Sequence, residues 1–286
     1  MMRFGCHLSV AKGLVKTAQE ARSLGLECLQ IFATSPRVWR QRDIPPQEAA
    51  AFAAACRKAG LSPVAVHAPY LLNLASQDQK LWRHSVEALA EQLERAHLLK
   101  AQAVVVHPGS RGDKPLDWGL ARVAEAVLQA LEAARGPAQV WLENTAGGGG
   151  HIGGTLAQLA ELRRLTQGRA VGFCLDTAHA WGAGYHLESV DKARRFLDRV
   201  DDLLGLDAVK LWHLNDTSQG RGSRRDQHQH LGRGLLGRDG FLALVCDPRL
   251  AAAPGVLETP KNSRWADRRN LAYLRHLKKL CKLSGS

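Results

Sequence analysis

The sequence predicts a closed (β/α)8 barrel, and three observations carry that prediction. Short apolar or β-branched runs alternate with longer Ala-, Leu- and Arg-rich stretches eight times along the chain. The short runs are apolar throughout, as in Ala103-Val104-Val105-Val106, which marks strands covered on both faces. The length of 286 residues suits a fold that typically takes about 250. An open doubly wound sheet shares the alternation, but no GxGxxG follows the first strand. No low-complexity linker divides the sequence, so residues 1–286 read as a single α/β domain.

Taken in order, the candidate strands are Arg3–Ser9, Cys28–Ala33, Pro63–His67, Ala103–His107, Gln139–Glu143, Val171–Asp176, Val209–Asn215 and Gly255–Glu258. Helical patterns fall at Leu14–Leu24, Pro46–Ala59, Gln79–Lys100, Asp117–Ala134, Thr155–Leu165, Val190–Leu203, Gly240–Cys246 and Trp265–Leu283. Pro46 suits a first helical turn because its φ is already helical, and Gly60 reads as a helix stop. The run Gly147–Gly150 reads as a mobile loop rather than a phosphate cradle, since no GK[ST] follows it.

Hydrophobic residues at 45% and charged residues at 23% exclude wholesale disorder. Lys and Arg number 39 against 27 acids, a net charge of +12 that suggests a polyanionic partner. No apolar run approaches the roughly 18 residues of a membrane span, and the N-terminus lacks a secretory apolar core. The expectation is a soluble cytoplasmic protein. The six cysteines form no CxxC pair and read as inert core thiols in a reducing compartment.

The informative pattern is what ends each strand. The third through eighth candidate strands run into His67, His107, Glu143, Asp176, His213 and Glu258. In a closed barrel these C-terminal ends converge on one face, where active sites are built. A single histidine at a strand end is ordinarily a structural hydrogen-bonder, but six converging imidazoles and carboxylates form a metal-ligand set. His179 follows Asp176 by three residues, and Asp226 and His228 form a D-x-H pair whose side chains point the same way on extended backbone. These nine residues, without thiolate, suit zinc, manganese or iron. At about three protein ligands per catalytic ion they support about three ions, with a carboxylate as bridge. His7 reads as a residue orienting a ligand, and His230, two residues past His228, as a substitute ligand. Asn144 and Asn215, each next to a candidate ligand, either orient it or satisfy loop backbone.

The segment Thr34–Arg42 sets Arg37, Arg40 and Arg42 around Trp39, and Tyr70-Leu71 follows His67 closely. Arginines pair with phosphate, and exposed aromatic or aliphatic residues can wedge into a duplex. Arg221, Arg224 and Arg225 add charge beside Asp226.

The chain resembles the endonuclease IV family of metal-dependent apurinic/apyrimidinic endonucleases, which have the TIM-barrel fold. The resemblance rests on Gly5-Cys6-His7-Leu8-Ser9, Pro36-Arg37-Val38-Trp39, Tyr70-Leu71-Leu72-Asn73-Leu74, His107-Pro108-Gly109-Ser110 and Leu142-Glu143-Asn144-Thr145-Ala146-Gly147. It continues through Leu175-Asp176-Thr177-Ala178-His179-Ala180, His213-Leu214-Asn215-Asp216, Asp226-Gln227-His228 and Leu257-Glu258-Thr259-Pro260. It implies three zinc ions per chain, with manganese or iron as alternatives, holding the reacting phosphate. By position, His67, His107 and Glu143 would bind one; Glu143 would bridge to a second, completed by Asp176, His213 and Glu258; His179, Asp226 and His228 would bind the third. Arg37, Tyr70 and Leu71 match positions that enter DNA at the lesion. The implied activity is DNA-repair hydrolysis of the phosphodiester 5′ to an abasic site, with Glu143 catalytic, leaving a 3′-hydroxyl and a 5′-deoxyribose phosphate, and removal of 3′-blocking groups. The implied partner is damaged duplex DNA, bound by a monomer. Arg233 stands where the family's pattern has an acid, and His230 where it has a small polar residue. Two other readings compete: a sugar isomerase or epimerase with about one metal, and a noncatalytic damaged-DNA-binding protein.

Overall fold

A computed structural model describes residues 1–39, 42–169 and 171–283. Eight parallel strands close into a barrel in chain order: β1 (Arg3–Leu8), β2 (Cys28–Ile31), β3 (Val64–His67), β4 (Ala103–Val106), β5 (Gln139–Glu143), β6 (Val171–Asp176), β7 (Val209–His213) and β8 (Pro254–Leu257). Pairing of β1 with β8 seals it. The helices that cover the outside are α1 (Leu14–Leu24), α2 (Pro46–Lys58), α3 (Gln79–Leu98), α4 (Leu116–Ala133), α5 (Leu156–Leu165), α7 (Val190–Leu204), α8 (Gly237–Cys246) and α9 (Ala266–Leu283). A further α-helix, α6 (Thr177–Gly182), follows β6 directly. It is absent from the sequence expectation because six residues carry too little periodicity to read. Asp176 starts it, accepting from the His179 backbone N–H at 2.8 Å.

The barrel interior shows why the site lies where it does. Side chains alternate across a strand, so every second residue enters the barrel. Cys28, Ala65, Ala103, Val105, Trp141, Cys174, Leu211 and Val256 pack together inside, while Val104 and Val106 join the larger core under the helices. Two residues beyond these interior positions lie Gln30, His67, His107, Glu143, Asp176, His213 and Glu258. Gly5 pairs with Cys28 in register, and His7 with Gln30. The period of two therefore gives each of the eight strands one polar residue in the mouth layer. Gly5 has no freedom to be larger, because a Cβ there would sit 2.2 Å from the Cys28 carbonyl oxygen.

Two expectations are overturned. Cys246 and Cys281 form a disulfide joining α8 to α9, with Cα atoms 5.3 Å apart; the packing of these helices brings together residues 35 apart in sequence. The other four cysteines are buried thiols. The glycine run is tied down rather than loose. Ser110 Oγ donates to the Gly149 carbonyl at 2.6 Å, and the Arg111 N–H to the Gly150 carbonyl at 3.1 Å. Gly150 permits this approach, since its φ is +79° and a Cβ would meet the Gly112 carbonyl at 2.4 Å.

Candidate metal centre

Glu143 stands at the middle of the mouth, fully buried. Its Oε2 lies 3.2 Å from His67 Nε2 and 3.1 Å from His107 Nε2; its Oε1 lies 3.0 Å from His213 Nδ1 and 3.1 Å from His179 Nδ1. Donor atoms gather within 4.8 Å of one another in four groups around this centre: His67, His107 and Glu143; Glu143, Asp176, His213 and Glu258; Glu143, Cys174 and His213; and Asp176, His179 and His228. Asp226 joins the last through Oδ1, 3.1 Å from His179 Nε2 and 3.5 Å from His228 Nε2. All nine sequence candidates thus stand in one constellation. Asp176 reaches further than the sequence suggested, its Oδ2 lying 3.5 Å from His228 Nε2.

The imidazole orientations bear on what the centre can hold. A carbonyl oxygen only accepts, so a ring nitrogen bonded to one carries the proton. His67 Nδ1 donates to the Ala68 carbonyl at 2.7 Å, His179 Nδ1 to the Asn144 carbonyl at 3.0 Å, and His228 Nδ1 to the Glu258 carbonyl at 3.3 Å. His213 Nε2 donates to the Gln30 side-chain oxygen at 2.9 Å. In each neutral ring the other nitrogen then turns a lone pair toward carboxylate oxygen. Lone pairs facing anions repel unless a cation lies between them. His179 Nε2 and His228 Nε2 are buried and make no well-angled hydrogen bond among the described residues, although Asp226 Oδ1 and Asp176 Oδ2 face them at 3.1 and 3.5 Å. A set of nitrogen and oxygen donors with outer protons anchored this way fits divalent zinc, manganese or iron.

The electrostatics agree. Burial opposes charge on His213 and His179, yet both are held protonated well above the usual histidine range. The Glu258 and Glu143 carboxylates do this for His213, beside a hydrogen bond with the Cys174 thiol, and Asp176, Asp226 and Glu143 do it for His179. The carboxylates demand positive charge, and protons supply it when nothing else does. Cys174 lies beneath this layer with its thiol pushed up to about 12 by burial, so it stays neutral.

Further side chains fix the ligands. Asn144 accepts from the Asp176 N–H at 2.6 Å and donates to its carbonyl at 3.1 Å. Asn215 donates to Asp176 Oδ2 at 2.6 Å and accepts from the Glu258 N–H at 2.8 Å. His7 Nδ1 lies 2.9 Å from Glu258 Oε1. The sequence reading passed over Gln30, whose buried amide touches His213, Glu258 and His7. Its signal was present as a lone polar residue at an inward position of an apolar strand. Asp216 was missed as well. Its buried carboxylate accepts from the N–H groups of Gly232, Gly234 and Leu236, clamping the loop that follows Asp226 and His228.

His230, expected as a substitute ligand, turns away: its ring bonds Asn262 at 3.1 Å and Asn270 at 3.1 Å. It belongs to none of the donor groups among the described residues. Beside the centre opens a cavity of about 1170 Å³, bounded by His7, Phe32, Arg37, Tyr70, His228 and Glu258 among others. Arg37 is exposed on its rim and Leu71 is half-buried. Tyr70 is 63% exposed, yet its ring packs edge-on against Phe32 at 5.3 Å. Arg40 lies outside the described residues.

Comparison with known proteins agrees with the sequence resemblance. The family described as xylose isomerase-like TIM barrel matches residues 18–281. A Chloroflexus aurantiacus protein named "Probable endonuclease 4" is 41% identical over 280 residues, covering 97% of this chain and 98% of that one. The crystal structure of endonuclease IV from Thermus thermophilus superimposes with a TM-score of 0.88 at 41% identity, over 97% of this chain and 99% of that one. A D-tagatose 3-epimerase-like protein reaches 0.74 at 20% identity over the full length of both chains, a likeness of fold alone.

Proposed function

The chain belongs to the endonuclease IV family of the xylose isomerase-like TIM barrels, and from this we propose that it is a DNA-repair hydrolase. Its reaction is cleavage of the phosphodiester 5′ to an abasic site in duplex DNA, leaving a 3′-hydroxyl and a 5′-deoxyribose phosphate. The same cleavage would remove 3′-blocking groups. One observation carries the reading: imidazoles anchored on their outer nitrogens turn their inner ones toward buried carboxylates, an arrangement suited to cations.

His67, His107 and Glu143 would hold one ion, Glu143 with Asp176, His213 and Glu258 a second, and His179, Asp226 and His228 a third. Zinc is the first choice, with manganese or iron as alternatives. Bound there, the ions would supply Lewis-acid stabilisation of the phosphate and a nucleophile at neutral pH. The chain's own contribution is placement. Ala68, Asn144 and Glu258 carbonyls hold the outer protons of three rings, so these rings cannot turn their donor atoms away. Arg37 would pair with backbone phosphate, and Tyr70 and Leu71 would enter the gap left by the missing base. A lesion without a base has little stacking to lose on extrusion, which favours it over intact sites. The +12 charge would draw the duplex in. A monomeric, single-domain cytoplasmic enzyme is consistent with this role.

The test is a labelled duplex carrying one tetrahydrofuran abasic analogue, with and without chelator. Cleavage to an extendable 3′-hydroxyl, abolished by chelator, is the expected result. Absence of cleavage after full loading with zinc and with manganese would overturn the reading and favour sugar isomerisation. Intact binding to abasic DNA without cleavage would favour a damage-binding protein.

A further inference from the structure

We propose that Gln30 is a positioning residue for the metal centre, setting the ring face of His213 and the carboxylate face of Glu258 together. The inference rests on the metal reading above and deepens it.

Gln30 is fully buried at the inward position of β2, in the mouth layer but with no place among the nine candidate ligands. Its Oε1 accepts the His213 Nε2 proton at 2.9 Å. Its Nε2 donates to Glu258 Oε1 at 2.7 Å, and His7 Nδ1 lies 2.9 Å from both Gln30 Nε2 and that same oxygen. The two contacts have one consequence. With Nε2 protonated, His213 can offer only Nδ1 to a cation; with Oε1 engaged, Glu258 turns Oε2 inward. These two atoms face each other across 3.2 Å, with Glu143 Oε1 also 3.0 Å from His213 Nδ1. One amide from β2 thereby aligns a donor from β7 with a donor from β8.

The chemistry explains why an amide serves here. The position requires one acceptor and one donor at once, on a side chain that brings no charge. Glutamate could still accept from His213, but it would set a second carboxylate against Glu258 Oε1. A methionine of similar length would satisfy neither partner and would leave His213 free to exchange tautomers. Outer partners of metal ligands typically change metal affinity or activity by about 10–100-fold.

The experiment compares wild type with Gln30→Met and Gln30→Glu, each metal-stripped and then titrated with Co²⁺ and with Zn²⁺ against a chromophoric chelator. Bound metal is counted by mass spectrometry, and the visible Co²⁺ spectrum reports the ligand field. Circular dichroism of the stripped proteins checks folding. The expected result is about 10–100-fold weaker binding of one ion in both variants, with an altered Co²⁺ spectrum and the remaining uptake unchanged. Folded variants that match wild type in affinity and spectrum would overturn the role of Gln30, whatever their stability or cleavage rate. A wild-type protein that takes up no ion would overturn the metal reading itself. Should Gln30→Met fail to fold, Gln30→Glu, of the same shape, decides the question alone.

Discussion

Replacing Glu143 by glutamine preserves the shape of the central side chain and deletes one charge. In the structure each carboxylate oxygen lies between two imidazole nitrogens, at 3.0–3.2 Å. The amide keeps one oxygen and turns an NH2 toward the other pair, so two of the four contacts change from attraction to mismatch. Four carboxylates serve the nine-residue set, Glu143, Asp176, Asp226 and Glu258, and the variant leaves three. If three divalent ions bind as proposed, the formal charge of the centre would rise from +2 to +3, and one of the two Glu143 oxygens that would hold them would become a weak amide ligand. Metal stabilisation of a reacting phosphate is worth several kcal/mol; losing about 4 kcal/mol of it slows cleavage by about a thousandfold. The assay is single-turnover cleavage of the tetrahydrofuran duplex at saturating metal, with metal content measured on the same sample. A fully loaded variant within tenfold of wild type would refute the bridging role. The chelated protein gives a second readout. Burial alone would raise the Glu143 pKa, but charge on His213 and His107, and hydrogen bonds from His107 and His179, hold it well below the ordinary range. A carboxylate depressed on folding contributes stability above its unfolded pKa and loses it as pH falls through the folded one. Acid unfolding of chelated wild type should therefore include a contribution below the ordinary glutamate range that Glu143→Gln lacks.

Other consequences are as direct. His179 and His213 are held protonated above the usual range, so metal loading near pH 7.5 should release about two protons per chain. Calorimetry in buffers of different ionisation enthalpy reads this, and zero net release would contradict the protonated state of these two rings in the ion-free protein. Arg37→Ala should lower the slope of log affinity against log salt by about one and reduce discrimination between abasic and intact duplex, with metal content unchanged. Equal discrimination in the two proteins would remove Arg37 from the DNA contact. The Cys246–Cys281 bridge closes a loop with a sequence separation of 35, which the chain-entropy relation values at about 3–4 kcal/mol. Denaturant midpoints with and without reductant measure it, and equal midpoints would show that α9 is held by packing alone.

The barrel was legible because its strands are covered on both faces and its helices are long enough to show their period. Six of the nine candidate ligands could be picked out for a related reason, the other three by their spacing. An imidazole or carboxylate closing an apolar run has no packing role to explain it, and β5 and β6 end in the structure at the predicted Glu143 and Asp176. What escaped was whatever depends on partners distant in sequence. Gln30 bonds residues 183 and 228 positions away, and nothing in Cys28-Leu29-Gln30-Ile31 announces them. Asp216 acts through backbone N–H groups, which carry no sequence identity. The disulfide depends on the facing of α8 and α9, and cysteine spacing alone cannot distinguish it from two core thiols.

The shape of the mouth bears on which substrate the centre can serve. Eight strands supply its floor, and strand-borne residues could by themselves build the kind of centre a small sugar needs. The outer group depends on chain beyond the strands, with His179 on α6 and Asp226 and His228 on the loop after β7. Burial separates this group from the strand-borne one only at Asp226, since His179 is 2% and His228 17% exposed. The Glu143, Asp176 and His213 side chains are sealed from solvent, His107 is 27% exposed and Asp226 is 56% exposed. Enzymes acting on small polar molecules gain from enclosing them away from water, commonly by closing a loop. The adjoining cavity is bordered by the candidate ligands His228 and Glu258 together with Arg37 and Tyr70. A site open along one flank and lined there by a cation and an aromatic ring can admit one phosphate of a polymer whose remaining length stays outside. That geometry follows from loops rather than from the barrel, so grafting short loops at 34–39 and 217–229 should leave the strand-borne donors in place while removing the capacity to engage a duplex.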